Sequence, residues 1–448
     1  MSSTLEDIRR GIQRKLTGET IWGDIYTTVN GNIAAPTTTI TLPTTFKSSF
    51  IADDHFQGWY FYVCDNNADS DGTPPGTCIR IVSYDASAGA IVVDENLSES
   101  GAHNCLDTGC EIELTPHHPK LVEQCINEFL SQTYYPYEWP ISIVNIENND
   151  MEHSTVATGW TQTAHTQTAE ATLVFHGAQS LKLAATNDTN LSKSADIDVV
   201  GTEDFRIYAA CKCTDGDTGT LIVYDETGTA NIVSITAQEE RWQLLSAGFQ
   251  VPATSEQITV RLQCGLNTDI TYWDDVQLIS GRRTYYKLPS WITEDYQVQD
   301  VVVYKGAGQL ADDSYNYMPD EARVSRWPHW RLVRDGSSFR LKLHTPFGAG
   351  RPRLRALRPY AELAAPSAAT PTGGTTICHE QFAIQGGFVT VLERLAATRQ
   401  GEDREAYYGW FLKEKAKLDR MRADFQPWAR SPKRDIQGEG LFGLSEAG

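Results

Sequence analysis

TYWDDVQLISG, Thr271–Gly281, sets an aromatic pair and two adjacent carboxylates ahead of alternating apolar residues. The alternation at Val276 and Leu278 predicts a half-buried strand, and carboxylates beside such a strand are costly unless water, a partner or a cation answers them. Upstream, SLKLAAT, FRIYAACKC, GTLIVYDETG, RWQLLSAGFQVP and QITVRLQCGL recur at short intervals separated by polar turns. That rhythm predicts an antiparallel β-sandwich of jelly-roll size between about residues 145 and 280.

The flanks have a different texture. Leu5, Ile8, Ile12 and Leu16 fall near helical spacing in a short amphipathic helix. FQGWYFYVC and IRIVSYDASAGAIVVDENL read as strands of a small sheet or barrel, and HPKLVEQCINEFL reads as a helix entered at Thr115–Pro116. After the sandwich, LPSWITEDYQVQDVVVYKG, SSFRLKLHTPF and RPRLRALRPYAEL return to strands, and AAPSAATPTGGTT has the composition of a linker. A helical region from about 377 to 425 breaks after Gln400 into two helices. The expected fold is α+β and multidomain: a helical and small β-sheet body interrupted by an inserted jelly-roll sandwich. The expected divisions are a body over 1–147 and 282–365, the insertion over 148–281, a linker over 366–376 and C-terminal helices with a tail over 377–448.

A net charge of -20 argues against a protein that coats DNA through a basic face. No apolar run approaches the roughly 20 residues needed to cross a bilayer, and MSSTLEDIRRGIQRKL alternates charge where an export signal needs an apolar core. A soluble protein outside the Sec pathway, with no membrane partner, is expected. The nine cysteines show no paired CxxC and read as reduced thiols. No GxSxG, Walker loop, HExxH or dinucleotide fingerprint is present, so no enzyme class is indicated. His117–Pro119 reads as a helix-entry element, and DNNADSDG (65–72) as a polar loop tip, because the position where an EF-hand loop places its last glutamate is Cys78. Asp274 with Asp275 cannot act as a glycosidase pair, since neighbours on a strand point to opposite faces.

NNDMEH at 148–153, Trp160, GAQSLKL at 177–183, RWQLLSAGFQVP at 241–252 and YWDDVQL at 272–278 resemble the carbohydrate-binding-module-like jelly rolls attached to many glycoside hydrolases. The resemblance implies a structural calcium joining Glu152 to Asp275, with backbone carbonyls near 177–180 completing an oxygen shell. It also implies a glycan platform, for which Trp160, Phe175, Tyr208, Tyr224, Trp242, Phe249, Tyr272 and Trp273 are the available aromatics. Trp242 and Trp273 sit at fold-defining places and are expected in the core.

The flanks resemble the head-to-tail connector (adaptor or neck) proteins of tailed bacteriophages. The likeness rests on the N-terminal helix, the WYFYV to VVDENLS strands, the HPKLVEQCINEFL helix, LPSWITEDYQVQDVVVY, LRALRPYAEL and the charged final helices. It implies a dodecameric ring at the virion's head–tail junction, assembled in the bacterial cytoplasm. Portal and tail or neck proteins would be partners, viral DNA would pass through the channel without specific binding, and the sandwich would meet host-surface glycan. Leu392, Leu395, Tyr407, Trp410, Phe411 and Leu418 would then dock on the portal or an adjacent subunit. The arginines from Arg323 to Arg358 would face an acidic partner, or form a solvated strand face. The alternative is a carbohydrate-binding or carbohydrate-active protein with an unrecognised catalytic centre.

Overall fold

The computed structural model describes residues 3–17, 25–28, 33–34, 37–42, 52–65, 73–97, 104–106, 110–143, 146, 148–153, 155–187, 190–266, 268–304, 324–327, 329–336, 338–347, 350–367 and 373–425. Most of 65–72 and all of 426–448 lie outside them, as does Arg323. The chain forms two compact units, one from Met1–Tyr135 with Pro359–Lys433 and one built on Pro136–Arg358.

The first unit holds all four α-helices among the described residues: α1 (Leu5–Thr17), α2 (Pro119–Ser131), α3 (Glu380–Thr398) and α4 (Glu402–Phe425). Leu5, Ile8, Ile12 and Leu16 form one apolar stripe on α1, while Glu6 and Asp7 in its first turn and Arg14 and Lys15 in its last complement the helix dipole. The stripe packs with Ile126 and Phe129 of α2 and Phe382 and Phe388 of α3. Gly386 and Gly387 permit this closeness: a Cβ on Gly386 would stand 2.1 Å from the Phe129 ring, and one on Gly387 would stand 2.6 Å from Ile12.

The same core takes in residues expected to dock elsewhere. Leu392, Leu395, Phe411 and Leu418 are buried in it, with Tyr407 and Trp410 packed against it. A two-helix end does not have to export its apolar face here, because α1 and α2 supply the covering layer. The expected docking surface is therefore largely interior.

A six-stranded antiparallel sheet completes the unit, in the order 25–28, 111–115, 60–65, 78–85, 90–97, 37–41. Its apolar face gathers Ile40, Phe61, Val63, Ile81, Ile91 and Ile112. Arg9 of α1 reaches the sheet from inside the fold. Its Nε and Nη2 donate to Glu113 Oε2 at 3.1 and 2.9 Å, and Nη1 donates to Glu123 Oε1 at 2.8 Å. The Tyr62 hydroxyl also donates to Glu123, and its ring lies 4.2 Å from the guanidinium.

The second unit contains two antiparallel sheets stacked as a sandwich. One is six-stranded, with 160–163, 191–194, 257–264, 219–225 and 230–237 in order and 197–198 added on 257–264. The other runs 165–170, 180–185, 270–280, 204–213, 243–250. Thr271, Trp273 and Cys211 of the second sheet close on Gly219 of the first, where a Cβ would come within 2.8 Å of the Cys211 sulfur.

The sandwich strands, Trp160–Thr163 through Ile270–Ser280, lie within 148–281, and the compact unit that holds them extends beyond. Strand Tyr134–Pro140 pairs with Arg351–Pro359 in a four-stranded sheet that also holds Val298–Tyr304 and Val324–Arg326. Gln277 of the sandwich donates its amide to the Ile141 and Pro352 carbonyls at 3.1 and 2.8 Å. Ser142 accepts from the Leu278 N–H at 3.0 Å. The compact unit's limits fall at 135/136 and 358/359. The protein is richer in strand than the helical body expected for a connector, because the flanks at 136–147 and 282–358 belong to this β unit.

Alanine is the better helix former by about 1 kcal/mol, so propensity alone favours Gly386→Ala. The Phe129 ring reverses that sign. The substitution is expected to destabilise the first unit by about 1–3 kcal/mol in urea denaturation, and pairing it with Phe129→Leu should recover part of the loss.

Candidate functional site

The Thr271–Gly281 stretch is buried on both faces instead of half-buried. Pairing slips by one residue opposite it: Ala210 faces Asp274 and Tyr208 faces Gln277, and Asp275 takes φ 54°. This bulge tightens the strand's twist, and an aspartate is among the few non-glycine residues that tolerate the left-handed backbone.

Asp274 is fully buried beneath the loop that crosses the outer face of its sheet. Its Oδ2 accepts the Phe175 and His176 N–H groups at 3.1 and 2.9 Å. Phe175, Trp242 and Tyr272 pack around that loop. Burial pushes the Asp274 carboxyl well above its usual range, against the pull of the His176 N–H and of Arg353.

Glu152 Oε1 accepts the Ala178 and Gln179 N–H groups at 2.7 and 3.0 Å. Gly177, at φ 86°, is required there, because a Cβ would fall 2.3 Å from the same oxygen. The Gln179 amide donates to the Met151 and His153 carbonyls, both at 2.7 Å. Glu152 Oε2 faces Arg358 at 3.9 Å. Burial raises Glu152 to about 7, with the two backbone donors and Arg358 opposing the shift.

Asp275, the other expected calcium ligand, has its Oδ2 against Nη2 of Arg353. Both side chains are almost wholly buried. Nearby, the Tyr137 hydroxyl donates to Asp150 at 2.9 Å, and Arg358 lies over the Tyr137 and Trp291 rings. The cluster therefore gathers Asp150, Glu152, Asp274 and Asp275 with arginines from Arg351–Pro359. The basic run splits accordingly. Arg351 and Arg353 point inward, while Arg355, Arg326 and Arg340 pair with Glu138, Asp300 and Asp335.

The opposite sheet presents an open outer face. Leu221, Val223, Val260 and Leu262 are buried toward the core, so the alternate residues of their strands point outward. There the Arg261 guanidinium stacks 3.4 Å from the Tyr224 ring centre. Glu226 accepts from Arg261 at 2.8 Å and from the Thr259 hydroxyl at 2.6 Å, and Lys193 stands 3.2 Å away. Burial works to raise Glu226, but the Thr259, Arg261 and Lys193 donors prevail and hold it below its usual range. Of the eight aromatics, Trp160, Tyr208, Trp242, Tyr272 and Trp273 are buried, and Tyr224 is the one set among charged groups on this open face. Its alternation with Ile222 and Thr220, facing Thr259 and Arg261, is visible in the sequence; the adjacency of the two strands is not.

No protein-family model and no curated protein matches the chain. Solved structures do. The CBM22-1 xylan-binding domain from Paenibacillus barcinonensis Xyn10C is 18% identical with a TM-score of 0.25, over 30% of this chain and 91% of that one. TmCBM61 in complex with β-1,4-galactotriose is 13% identical with a TM-score of 0.26, over 31% of this chain and 99% of that one. The enzymatically active domain of bacteriophage CBA120 tailspike protein 4 is 14% identical with a TM-score of 0.25, over 31% of this chain and 21% of that one. Likeness at this level decides nothing about binding, which is set by the side chains above.

A carboxyl whose pKa rises on folding stabilises the fold below its unfolded pKa, and that stability is lost as pH climbs through the folded value. For Glu152 the window runs from 4.5 to about 7. Glu152→Gln keeps an acceptor for both N–H groups and should remove this component. The melting temperature of the variant relative to the parent is expected to rise by about 5 °C between those limits. The Glu152 charge also helps raise Asp274, so the difference reports Glu152 together with its coupling to Asp274.

Proposed function

We propose that the second unit is a glycan-binding module and that its ligand lies on the outer face carrying Tyr224, Arg261, Glu226 and Lys193. The observation that carries this reading is the half-buried Tyr224 ring held by a guanidinium and flanked by a partly exposed carboxylate that the buried Thr259 hydroxyl fixes in place. A sugar offers an apolar C–H face suited to an aromatic edge or ring, and vicinal hydroxyls that donate to a carboxylate and accept from a guanidinium. Glu226 is held ionised by its neighbours, so it is ready to accept such donors. With a net charge of -20, the chain favours a neutral glycan over a polyanionic one.

The connector reading, with its portal, tail and DNA-channel partners, rests on the texture of the flanks. The apolar residues it assigned to docking are drawn into the first unit's own core, which weighs in favour of the binding module.

Xylohexaose and β-1,4-galactotriose, together with a panel of other neutral oligosaccharides, are suitable probes for calorimetry with the full chain. Binding to at least one is expected. Tyr224→Ala and Glu226→Ala should each weaken it by about tenfold or more, a loss of at least about 1.4 kcal/mol, while Phe249→Ala on the other sheet leaves it unchanged. No binding to any neutral glycan, or binding untouched by both substitutions, overturns the proposal.

A further inference from the structure

The jelly-roll resemblance implies calcium between Glu152 and Asp275, and the donor set around these residues tests that fit. Calcium takes six to eight oxygen ligands. Here the groups aimed at the carboxylates are hydrogen-bond donors: the Ala178 and Gln179 N–H groups on Glu152, the Phe175 and His176 N–H groups on Asp274, and the Arg353 guanidinium on Asp275. The loop expected to lend carbonyls turns its N–H groups inward instead. The Met151 and His153 carbonyls are both engaged by the Gln179 amide. Both Asp275 oxygens are without a hydrogen bond, but Oδ2 lies in the ion pair with Arg353, and two oxygens of one carboxylate fall well short of the ligands calcium needs. Among the described residues, no group of three or more His, Cys, Asp and Glu side chains is arranged to hold a metal. The residues do not fit the ion.

We infer that Arg353 is the sandwich's own counter-cation, filling in charge balance the place that the resemblance assigns to calcium, so that the second unit folds without a metal. Arg353 reaches this position because its strand, Arg351–Pro359, pairs with Val298–Tyr304 and Tyr134–Pro140 beside the sandwich. A guanidinium carries its charge at any physiological pH, and its planar fork spreads that charge over several donors. It is also covalently part of the chain, so no dilution or chelator removes it. The inference is independent of where glycan binds, since it concerns the opposite sheet.

Thermal unfolding of the full chain in excess calcium chloride and in EDTA is the test, with calorimetric titration of calcium alongside. The parent protein is expected to melt within about 1 °C in both conditions and to show no stoichiometric calcium binding. Arg353→Gln strands buried carboxylates, so the second unit's transition should fall by roughly 10 °C. Combining it with Asp275→Asn removes both charges, and the double variant should melt above Arg353→Gln alone. Loss of stability in EDTA, saturable calcium binding by the parent, or a double variant no better than the sum of its singles overturns the inference. Should Arg353→Gln fail to fold, the parent's response to calcium and the folding of the double variant still decide.

Discussion

A guanidinium taken out of water must be met by carboxylates, and each unit of this protein is organised around one such meeting. Arg9 draws a helix, a sheet and a second helix together through Glu113, Glu123 and Tyr62. Arg353 performs the same task for the sandwich and the sheet beside it. Breaking a buried pair from one side costs about 3–5 kcal/mol, because the partner charge is left without an answer. Packing in both units is therefore conditional on elements distant in sequence arriving at one place.

The second unit treats the two outer faces of its sandwich in opposite ways. On one, a loop held by Asp274 and the aromatic trio Phe175, Trp242 and Tyr272 covers the strands, and further along Gln277 is roofed by Ile141 and Pro352. On the other, partly exposed Arg261, Lys193 and Glu226 side chains stand around Tyr224. Closing one face lends the rigidity that lets the other hold a ring and a carboxylate in fixed relation. Recognition of a flexible polar ligand needs that fixity, since every side chain frozen on binding subtracts from affinity.

Helices were the most legible part of the sequence. The stripe of Leu5, Ile8, Ile12 and Leu16 gives α1 to within a residue, α2 lies where expected but begins at Pro119 instead of Thr115–Pro116, and the break after Gln400 appears at Gly401, where φ is 65°. The sandwich was legible too, through the six strand segments whose local texture stands out, while short polar strands such as Trp160–Thr163 and Leu191–Ser194 were not. The wider extent of the compact unit was not, since it depends on Tyr134–Pro140 meeting Arg351–Pro359, a pairing that leaves no local trace. The same limit hid the answer to the Asp274–Asp275 question. Water, partner and cation were all foreseen as possible answers, but a partner 78 positions downstream shares no local pattern with Asp275. The docking stripe on α3 and α4 misled for a related reason: apolar surplus in one hairpin says how much must be covered, not by what.

The span between Asp275 and Arg353 also has a consequence in time. A ribosome delivers the chain from its N-terminus, so the strands of the sandwich emerge with four acidic side chains gathered and no arginine yet made to offset them. Gln277 is likewise made before the Pro352 carbonyl that its amide meets. The sandwich's contacts with Arg353 and Pro352 cannot form until the strand ending at Pro359 leaves the tunnel, and those of the N-terminal helix with α3 form later still. Contacts of such long range slow folding and prolong the exposure of unpaired strand edges. For this chain, a pause in translation before Arg351 would be harmful where in many proteins pauses between domains help.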